Sequence, residues 1–301
     1  MTTTVTPHQP PVRKRSSAGI VTYRPGRAMR RFRRDRSGLV CLGVLVLILL
    51  AGALSQVWTP QDPADQDLLG RLQGPSSEHL LGTDNLGRDV LSRLMVATWV
   101  AITSSSLAVV LGLVTGTVLG LIAGYAGGWV DSVLSRIADV LLSLPPLLFA
   151  VAIVGALGPS LTNAMIALGV LLLPRFFRMV RVSTQEIVHE DFAEAARASG
   201  AGPVRILLRH VLPNILSPLL IQISFGVAVA VVAESGLSFL GLGAQPPTAS
   251  WGSMVKEGFD NLARTSWMIL PPAALIVLTI LVLSLLGDSL RDAVGRQSGS
   301  K

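Results

Sequence analysis

The chain has 301 residues, of which 50% are hydrophobic and only 14% are charged, and its mean hydropathy is +0.58. Soluble domains carry about 25% charged residues, so this composition excludes an ordinary soluble domain and favours a chain whose solvent is lipid. The net charge of +7 does not indicate nucleic-acid binding, because ten of the 25 Lys and Arg residues precede residue 37 and no recognition motif accompanies them.

The chain opens with a basic tail, residues 1–37, that ends where the first apolar run begins. Such a block is typical of a cytoplasmic anchor beside the anionic headgroups of membrane lipid. Residues 1–25 are polar and contain several prolines, so we expect them to be disordered. The apolar run at 38–58 is longer than the core of a cleaved signal peptide, which indicates a retained membrane helix.

The next segment, 59–97, is polar and rich in Gly, Asp and Asn near its centre. The stretch from His79 to Leu94 predicts a turn followed by a helix that starts near Arg88. Two interpretations stay open for this stretch, a functional motif or a cluster of solvated charges. The candidate residues are Gly82, Thr83, Asp84, Gly87, Arg88 and Asp89.

Six apolar segments are long enough to cross a bilayer, which takes about 20 helical residues. They lie at 38–58, 98–123, 134–157, 161–181, 214–234 and 270–288. If the N-terminus is inside, the inner segments hold 20 of the 25 basic residues, which predicts that both termini are cytoplasmic. The predicted fold class is therefore an all-α integral membrane protein with six transmembrane helices. In this prediction a five-helix core spans 98–288 and a cytoplasmic tail spans 289–301.

Small residues and prolines mark three of the spans. A stripe of glycines recurs every fourth residue along the second span, at Gly112, Gly116, Gly120 and Gly124. Such a stripe lets another helix backbone approach closely. Pro145–Pro146 in the third span and Pro174 in the fourth each remove helical hydrogen bonds, so we expect kinks there. Tight packing is the simplest interpretation, and kinked helices that line a transport pathway are the alternative.

The longest internal polar segment on the predicted inner side lies between the fourth and fifth spans and predicts two short helices. Asp191 suits the N-cap of the first helix, and Glu194 completes a pattern like a capping box. Gly200 suits the left-handed position that follows a helix. Pro203 is expected to open the second helix and Pro213 to end it. One interpretation is a capped surface helix whose Glu194 serves only its own N-terminus.

The spacing within this segment supports a second interpretation. Glu194-Ala195-Ala196 is followed after three residues by Gly200, and after nine more by His210-Val211-Leu212-Pro213. This pattern resembles the EAA signature of ABC importer permeases. Most of the family has an aliphatic residue where His210 stands, and histidine there is familiar in the peptide-transporting branch. The segments 79–94 and 236–252 also resemble dipeptide, oligopeptide and nickel permeases, specifically the "C" type of each permease pair.

The resemblance implies the type I ABC importer fold in a bacterial cell membrane. It also implies that the loop at 183–213 is a coupling helix that docks in a groove of an ATPase subunit. The residues it assigns to that contact are Asp191, Glu194, Ala195, Ala196, Gly200, His210 and Pro213. The implied partners are a homologous "B"-type permease, two ATPase subunits or one fused ATPase, and an extracytoplasmic substrate-binding protein. The chain would form half of the pathway for dipeptides or oligopeptides, with nickel, glutathione or haem-like cargo as alternatives.

Sequence patterns of catalysis are missing from the chain. Its three lysines, Lys14, Lys256 and Lys301, neither follow a glycine nor precede Ser or Thr, so no P-loop is present. We therefore expect no cofactor in this chain, with ATP and Mg²⁺ bound by partner subunits. An ion-driven carrier would need charge inside the membrane and usually inverted repeats, and a membrane enzyme would need a nucleophile or metal cluster. Neither pattern is present, and a non-transporting scaffold is the third alternative.

Overall fold

The computed structural model describes residues 35–295 without a break, together with Arg30, Phe32 and Arg33. Most of the basic tail predicted at 1–37, and the part of the C-terminal tail after residue 295, lie outside the described residues. Within the described part the chain is helical and forms no β-strand. This agrees with the all-α class predicted from the apolar segments.

The helices follow the predicted apolar segments, with shifts at their ends. In chain order they are α1 (Arg36–Leu54), α2 (Val90–Ala126), α3 (Gly128–Ser143), α4 (Pro146–Leu157), α5 (Leu161–Val188), α6 (Asp191–Ala198), α7 (Pro203–Ile206), α8 (Leu212–Phe239), α9 (Trp251–Asp260) and α10 (Leu270–Gly295). A π turn (Leu207–Val211) joins α7 to α8, and a 3₁₀ turn (Trp267–Ile269) leads into α10. The longer helices begin at polar caps: the carboxylates of Asp35 and Asp89 accept backbone N–H groups at the starts of α1 and α2.

Four described helical stretches are each long and apolar enough to cross a membrane. They are Arg36–Leu54, Val90–Ala126, Pro203–Phe239 and Trp267–Ala293. A fifth candidate exists if α3 and α4 count as one span, although they are bent by 93°. The helix α5 is not among the candidates, and its second half carries three arginines, which are costly in hydrocarbon. The described part of the chain therefore gives four or five candidate spans where the sequence predicted six.

The glycine stripe of α2 packs directly on α5. A Cβ placed on Gly116 would lie 2.7 Å from the carbonyl oxygen of Leu173, and one placed on Gly124 would lie 2.7 Å from that of Arg181. Contacts this short leave room for hydrogen atoms only, so the two helix backbones touch along their length. The predicted close approach is confirmed, and this helix pair forms the centre of the bundle with the buried Phe176 and Val180.

The proline pair divides the predicted third span into two separate helices. Helix α3 ends at Ser143 and α4 begins at Pro146, so the span at 134–157 consists of two helices. Pro145 and Pro146 have no backbone N–H, and the helical hydrogen bonds cannot continue through them. In contrast, Pro174 lies inside α5, which continues unbroken past it.

Candidate functional site

The 190–213 loop, which contains the EAA-like spacing, begins differently from its prediction. Helix α6 starts at Asp191 itself, and Glu190 occupies the N-cap position without a side-chain hydrogen bond. The predicted cap at Asp191 and the capping box with Glu194 are therefore wrong. Across the described residues, no hydrogen bond or ion pair engages the exposed Glu194 side chain. The capping box is thus excluded, although Glu194 still lies in the first turn of α6, where a carboxylate interacts favourably with the helix dipole.

Gly200 ends α6 in the predicted left-handed conformation, with φ of 81°. Its N–H donates to the Arg197 carbonyl at 2.9 Å, and the Ala201 N–H donates to the Ala196 carbonyl at 3.0 Å. This pair of hydrogen bonds is a Schellman motif, which satisfies the last carbonyls of the helix. A Cβ on Gly200 would meet no atom within 4 Å. Among the described residues no neighbour crowds this position, so the backbone conformation alone restricts the residue there.

Two side chains fasten α6 to the rest of the bundle. The Arg197 Nη2 donates to the Val188 carbonyl at 2.6 Å, and its guanidinium lies 5.9 Å from the ring centre of Tyr125. On the other side, the Phe192 ring lies 6.1 Å from the His210 ring. The first two contacts join α6 to the ends of α5 and α2, and the third joins it to the π turn. A displacement of α6 must therefore act on three of the long helices.

A cleft of about 620 Å³ opens between these helix ends. Tyr125, Gln185, His189 and Arg197 are among the residues that line it. The loop therefore rests on open space beside its attachment points, which leaves room for α6 to shift against α2 and α5.

The exposed residues of α6 and of the turn that follows it are small or charged. Ala193, Ile206 and Val211 are fully buried and hold the loop to the core. The exposed residues on α6 and its turn include four predicted site residues: Asp191, Glu194, Ala195 and Gly200. Ala196 and His210 are half-buried, and Pro213 is exposed at the start of α8. The structure therefore exposes these four predicted residues and Pro213, and it places the half-buried His210 beside Phe192.

Pro213 does not end the second loop helix, contrary to the prediction. The π turn precedes it, with the Leu212 N–H donating to the Leu207 carbonyl, and Pro213 lies in the first turn of α8. The wider π turn lets the helix pass the proline without a break. The chain is consequently helical from Pro203 to Phe239, so the loop continues directly into a candidate span.

Residues of the segment before the second span form a largely buried ion-pair network with Glu257, here named the α2 charge network, of Asp84, Arg88, Arg93 and Glu257. The Asp84 Oδ2 accepts from the Arg88 Nε at 2.7 Å and also from the Arg93 Nη1. Arg93 makes a second, two-point ion pair with Glu257 of α9, with N–O distances of 2.7 and 2.9 Å. Asp84, Arg88 and Arg93 are all buried. The interpretation as solvated charges is wrong.

Asp89 is separate from these ion pairs and joins the polar segment to α2 through Ser92 and His79. Its Oδ2 accepts the Ser92 N–H at 2.8 Å, which caps the helix, and its Oδ1 lies 3.0 Å from the His79 Nδ1. Thr83 pairs with Asp89 in an isolated antiparallel bridge. These contacts hold the segment against the beginning of α2, so the predicted motif has a definite structural role.

Nearby backbone atoms restrict two positions of the motif to glycine. Gly82 and Gly87 have φ of 71° and 79°. A Cβ on Gly87 would lie 1.8 Å from the Asp67 carbonyl oxygen, and one on Gly82 would lie 2.4 Å from that of Gln73. No other residue fits either position without moving the backbone.

Sequence reasoning did not include Arg93 or Glu257 among the candidate residues. Arg93 follows the motif by one helical turn, so its pairing with Asp89 or Asp84 could have been considered. Glu257 is 164 residues away from Arg93 along the chain, and no local pattern points to their contact.

Comparisons with known proteins agree with this geometry. Residues 116–298 match the family described as the binding-protein-dependent transport system inner membrane component. Residues 25–75 match a second family, described as the N-terminal TM domain of oligopeptide transport permease C.

Relatives at high identity cover nearly the whole chain. A peptide transport system permease protein of Brucella abortus biovar 1 is 39% identical over 272 residues, covering 88% of this chain and 89% of the relative. The dipeptide transport system permease protein DppC of Alkalihalophilus pseudofirmus is 37% identical over 267 residues, covering 89% and 88%. The glutathione transport system permease protein GsiD of Escherichia coli O6:K15:H31 is 38% identical over 268 residues, covering 88% of each chain.

The fold is also similar to a solved structure, the MetNI methionine ABC transporter in an inward-facing conformation. The TM-score is 0.57 at 21% identity, over 67% of this chain and 96% of that one. At this identity the likeness concerns the fold, which is the ABC permease fold that the sequence predicted. The chain therefore belongs to the binding-protein-dependent transport system inner membrane components, the membrane permeases of ABC transporters.

Proposed function

We propose that this chain is the permease subunit of an ATP-driven importer of peptides and forms half of the translocation pathway. The observation that carries the proposal is the 190–213 loop, a preformed helix and glycine turn on which the exposed Asp191 and Glu194 side chains make no hydrogen bond or ion pair within the described residues. Relatives named for peptide, dipeptide and glutathione transport support a peptide cargo, since glutathione is itself a small peptide.

The proposed assembly has three kinds of partner. A homologous permease supplies the other half of the pathway, ATPase subunits dock on the 190–213 loop, and an extracytoplasmic binding protein delivers the substrate. ATP and substrate each drive transport only if they bind one conformation of the complex better than the other. The contacts of Arg197 and Phe192 support α6 as the element that passes a change in the ATPases to the bundle.

The proposed topology has six spans and both termini in the cytoplasm, with the domain limits given by the sequence at 1–37, 38–58, 59–97, 98–288 and 289–301. The bent α3–α4 pair would be the third span and α5 the fourth, with its arginines toward the cytoplasmic end. The distribution of 20 of the 25 basic residues on the inner side supports this arrangement. It places the 190–213 loop inside and the α2 charge network outside.

Cysteine labelling tests the topology. The native Cys41 is replaced by alanine, and single cysteines are introduced as Ser77→Cys, at an exposed position, and Ser298→Cys. A membrane-impermeant thiol reagent applied to whole cells should label the chain with Ser77→Cys and leave the chain with Ser298→Cys unlabelled. The opposite pattern, or equal labelling of both, contradicts the proposed topology.

A pair of glycine variants tests the function. Gly200→Val and Gly241→Val both place a β-branched residue at an exposed turn with φ near 80°, where a Cβ meets no atom within 4 Å. The backbone strain is thus the same, and it costs each variant about 1–2 kcal/mol. Only Gly200 lies on the proposed ATPase contact, while Gly241 follows α8 on the proposed outer side.

For both variants we would measure chain abundance in membranes, retention of ATPase subunits on purification, and uptake of labelled dipeptides, glutathione and nickel. Gly200→Val should remain abundant, lose the ATPases and lose uptake, and Gly241→Val should keep the ATPases. Full ATPase retention and peptide uptake by Gly200→Val would end the docking assignment. Uptake of nickel without peptides by the native complex would end the peptide assignment.

A further inference from the structure

The helix α3 is attached to the bundle by few buried contacts. Ala138 is the one buried residue among its 16, all of which the structure describes. Large apolar residues on its other faces, including Trp129, Val133 and Ile137, are exposed. Packing against the core therefore does little to fix where this helix lies, in contrast with the neighbouring α5.

Both ends of α3 are built to bend. It is entered through Gly127 and Gly128, with φ of 61° and 54°, and a Cβ on either glycine would meet no atom within 4 Å. These glycines thus have conformational freedom and space around them. At the other end the chain turns by 93° at the proline pair before α4. Together α3 and α4 form a bent arm with a flexible joint at its root.

Ion pairs with α5 hold this arm in place. The Asp131 carboxylate accepts hydrogen bonds from both the Nε and the Nη2 of Arg181, the latter at 2.6 Å. The Gln185 side-chain amide donates to the same carboxylate at 3.2 Å. Farther along, the Arg178 Nη2 lies 2.5 Å from the Asp139 Oδ1. We name these two pairs the arm ion pairs.

The spacing of the arm ion pairs sets the angle of the arm as well as its position. The two aspartates are separated by about 12 Å of helix and the two arginines by about 4.5 Å, at 1.5 Å per residue. The two attachments therefore lie about two helical turns apart on α3 and less than one turn apart on α5. Because they are separated along α3, they constrain its direction as well as its position.

The arginines of these pairs also lie on the element that receives motion from the 190–213 loop. Arg181 is two turns before Val188, the last residue of α5, and the Val188 carbonyl is the acceptor for Arg197 of α6. A chain of direct contacts thus runs from α6 through the end of α5 to Asp131 and α3. The Arg178–Asp139 pair is exposed and adds little to folding stability, whereas the Arg181–Asp131 pair is partly buried and is the firmer attachment of the two.

We propose that Asp131, Asp139, Arg178 and Arg181 are positioning residues that transmit the displacement of α6 to the α3–α4 arm. This inference rests on the proposed function, because it assumes that ATPase subunits move α6. In this mechanism the ATPases shift the end of α5, the arm ion pairs carry the shift across, and the arm tilts about Gly127 and Gly128. The arm thereby changes the shape of the pathway without repacking the α2–α5 centre.

Charge reversal tests the mechanism in the assembled complex. The variants are Asp131→Arg, Arg181→Asp and the double variant that carries both changes. The matched control is Arg136→Asp on the same helix, where the arginine is exposed and makes no ion pair within the described residues. For each complex we would measure chain abundance, ATPase retention, peptide uptake, and the ratio of ATPase activity with and without loaded binding protein.

Each single reversal should keep the ATPases bound but reduce uptake and the stimulation ratio by about threefold to thirtyfold, the usual range for residues that carry coupling. The double variant should restore both, and Arg136→Asp should leave both unchanged. If a single reversal lowers chain abundance, Asp131→Asn provides a milder break of the same pair, with the same expected loss of stimulation.

Normal uptake and stimulation in the single reversals would overturn the inference, and so would a stable double variant that shows no recovery. These results differ from a failure of the proposed function, in which the unmodified chain would neither retain ATPase subunits nor take up peptide. A structural role alone predicts loss of abundance in the single variants with an unchanged stimulation ratio in the remaining complex.

Discussion

The α2 charge network and the 190–213 loop use the same kinds of residue in opposite ways. In the network, Asp84 and Glu257 are each paired with arginines, and Asp84 is buried. In the loop, Glu194 is exposed and has no partner among the described residues. Charges that are satisfied inside the chain hold its own fold together, whereas a charge presented on a rigid helix without a partner is available to another protein.

Two glycines, one in each region, show the same contrast between contacts within the chain and a surface open to a partner. Gly87 and Gly200 have nearly equal φ values of 79° and 81°. A Cβ on Gly87 would collide with the Asp67 carbonyl at 1.8 Å, whereas one on Gly200 would enter open space. The first glycine is required by the packing of this chain. The second needs only its backbone conformation, and the space beside it is free for a partner to approach closely.

The largest expected effect comes from breaking the network. Arg93→Gln removes one of the two arginines that Asp84 and Glu257 share and leaves only Arg88 to pair with both carboxylates, which should lower the free energy of unfolding by about 3 kcal/mol. We expect little folded chain in the membrane and a lower Tm for what remains in detergent. The exposed Arg71 of the same segment is a suitable control, and Arg71→Gln should change stability by less than about 0.5 kcal/mol.

If Arg93→Gln is as abundant and as thermally stable as the unmodified chain, the network does not stabilise the fold, and the contrast with the loop is lost. A result in which Arg93→Gln and Arg71→Gln are equally destabilised would show that the segment responds to charge in general and not to the buried pairing.

The substitution in the 190–213 loop should have the smallest effect on the stability of the fold. Glu194→Gln removes one exposed charge that makes no contact within the described chain, so the Tm should stay within the range of a neutral surface change, about 0.5 kcal/mol in free energy. Retention of ATPase subunits and peptide uptake should nevertheless fall. The control is Glu186→Gln, which removes an exposed carboxylate of α5 close to the same loop.

Equal ATPase retention by Glu194→Gln, Glu186→Gln and the unmodified complex would show that the charge of Glu194 does not contribute to binding of the ATPases. A lowered Tm in Glu194→Gln alone would show that this side chain does stabilise its own helix, contrary to the geometry of α6.

Much of this architecture could be predicted from local patterns. The glycine stripe predicted the contact of α2 with α5, because a four-residue repeat of small side chains has few other uses in an apolar helix. The left-handed Gly200 and the first-turn Pro203 followed from the conformational limits of these two residue types. Such features depend on neighbours within one or two turns, which a sequence displays directly.

The remaining features depend on distant neighbours. The pairing of Arg93 with Glu257 crosses 164 residues, so the buried network could not be distinguished from solvated charges. Pro213 was expected to end a helix, but a π turn directly before it leads into α8, and no residue pattern in the sequence indicated that turn.

The unbroken helix from Pro203 to Phe239 turns a small rotation into a long excursion. Its 37 residues measure about 55 Å from end to end at 1.5 Å per residue. A tilt of about 5° at the loop end therefore sweeps an arc of roughly 5 Å at Phe239, about one helical pitch. The length of this helical stretch alone would therefore convert a small change of direction at the loop into a displacement of several ångströms at its far end, if the stretch moved as one body.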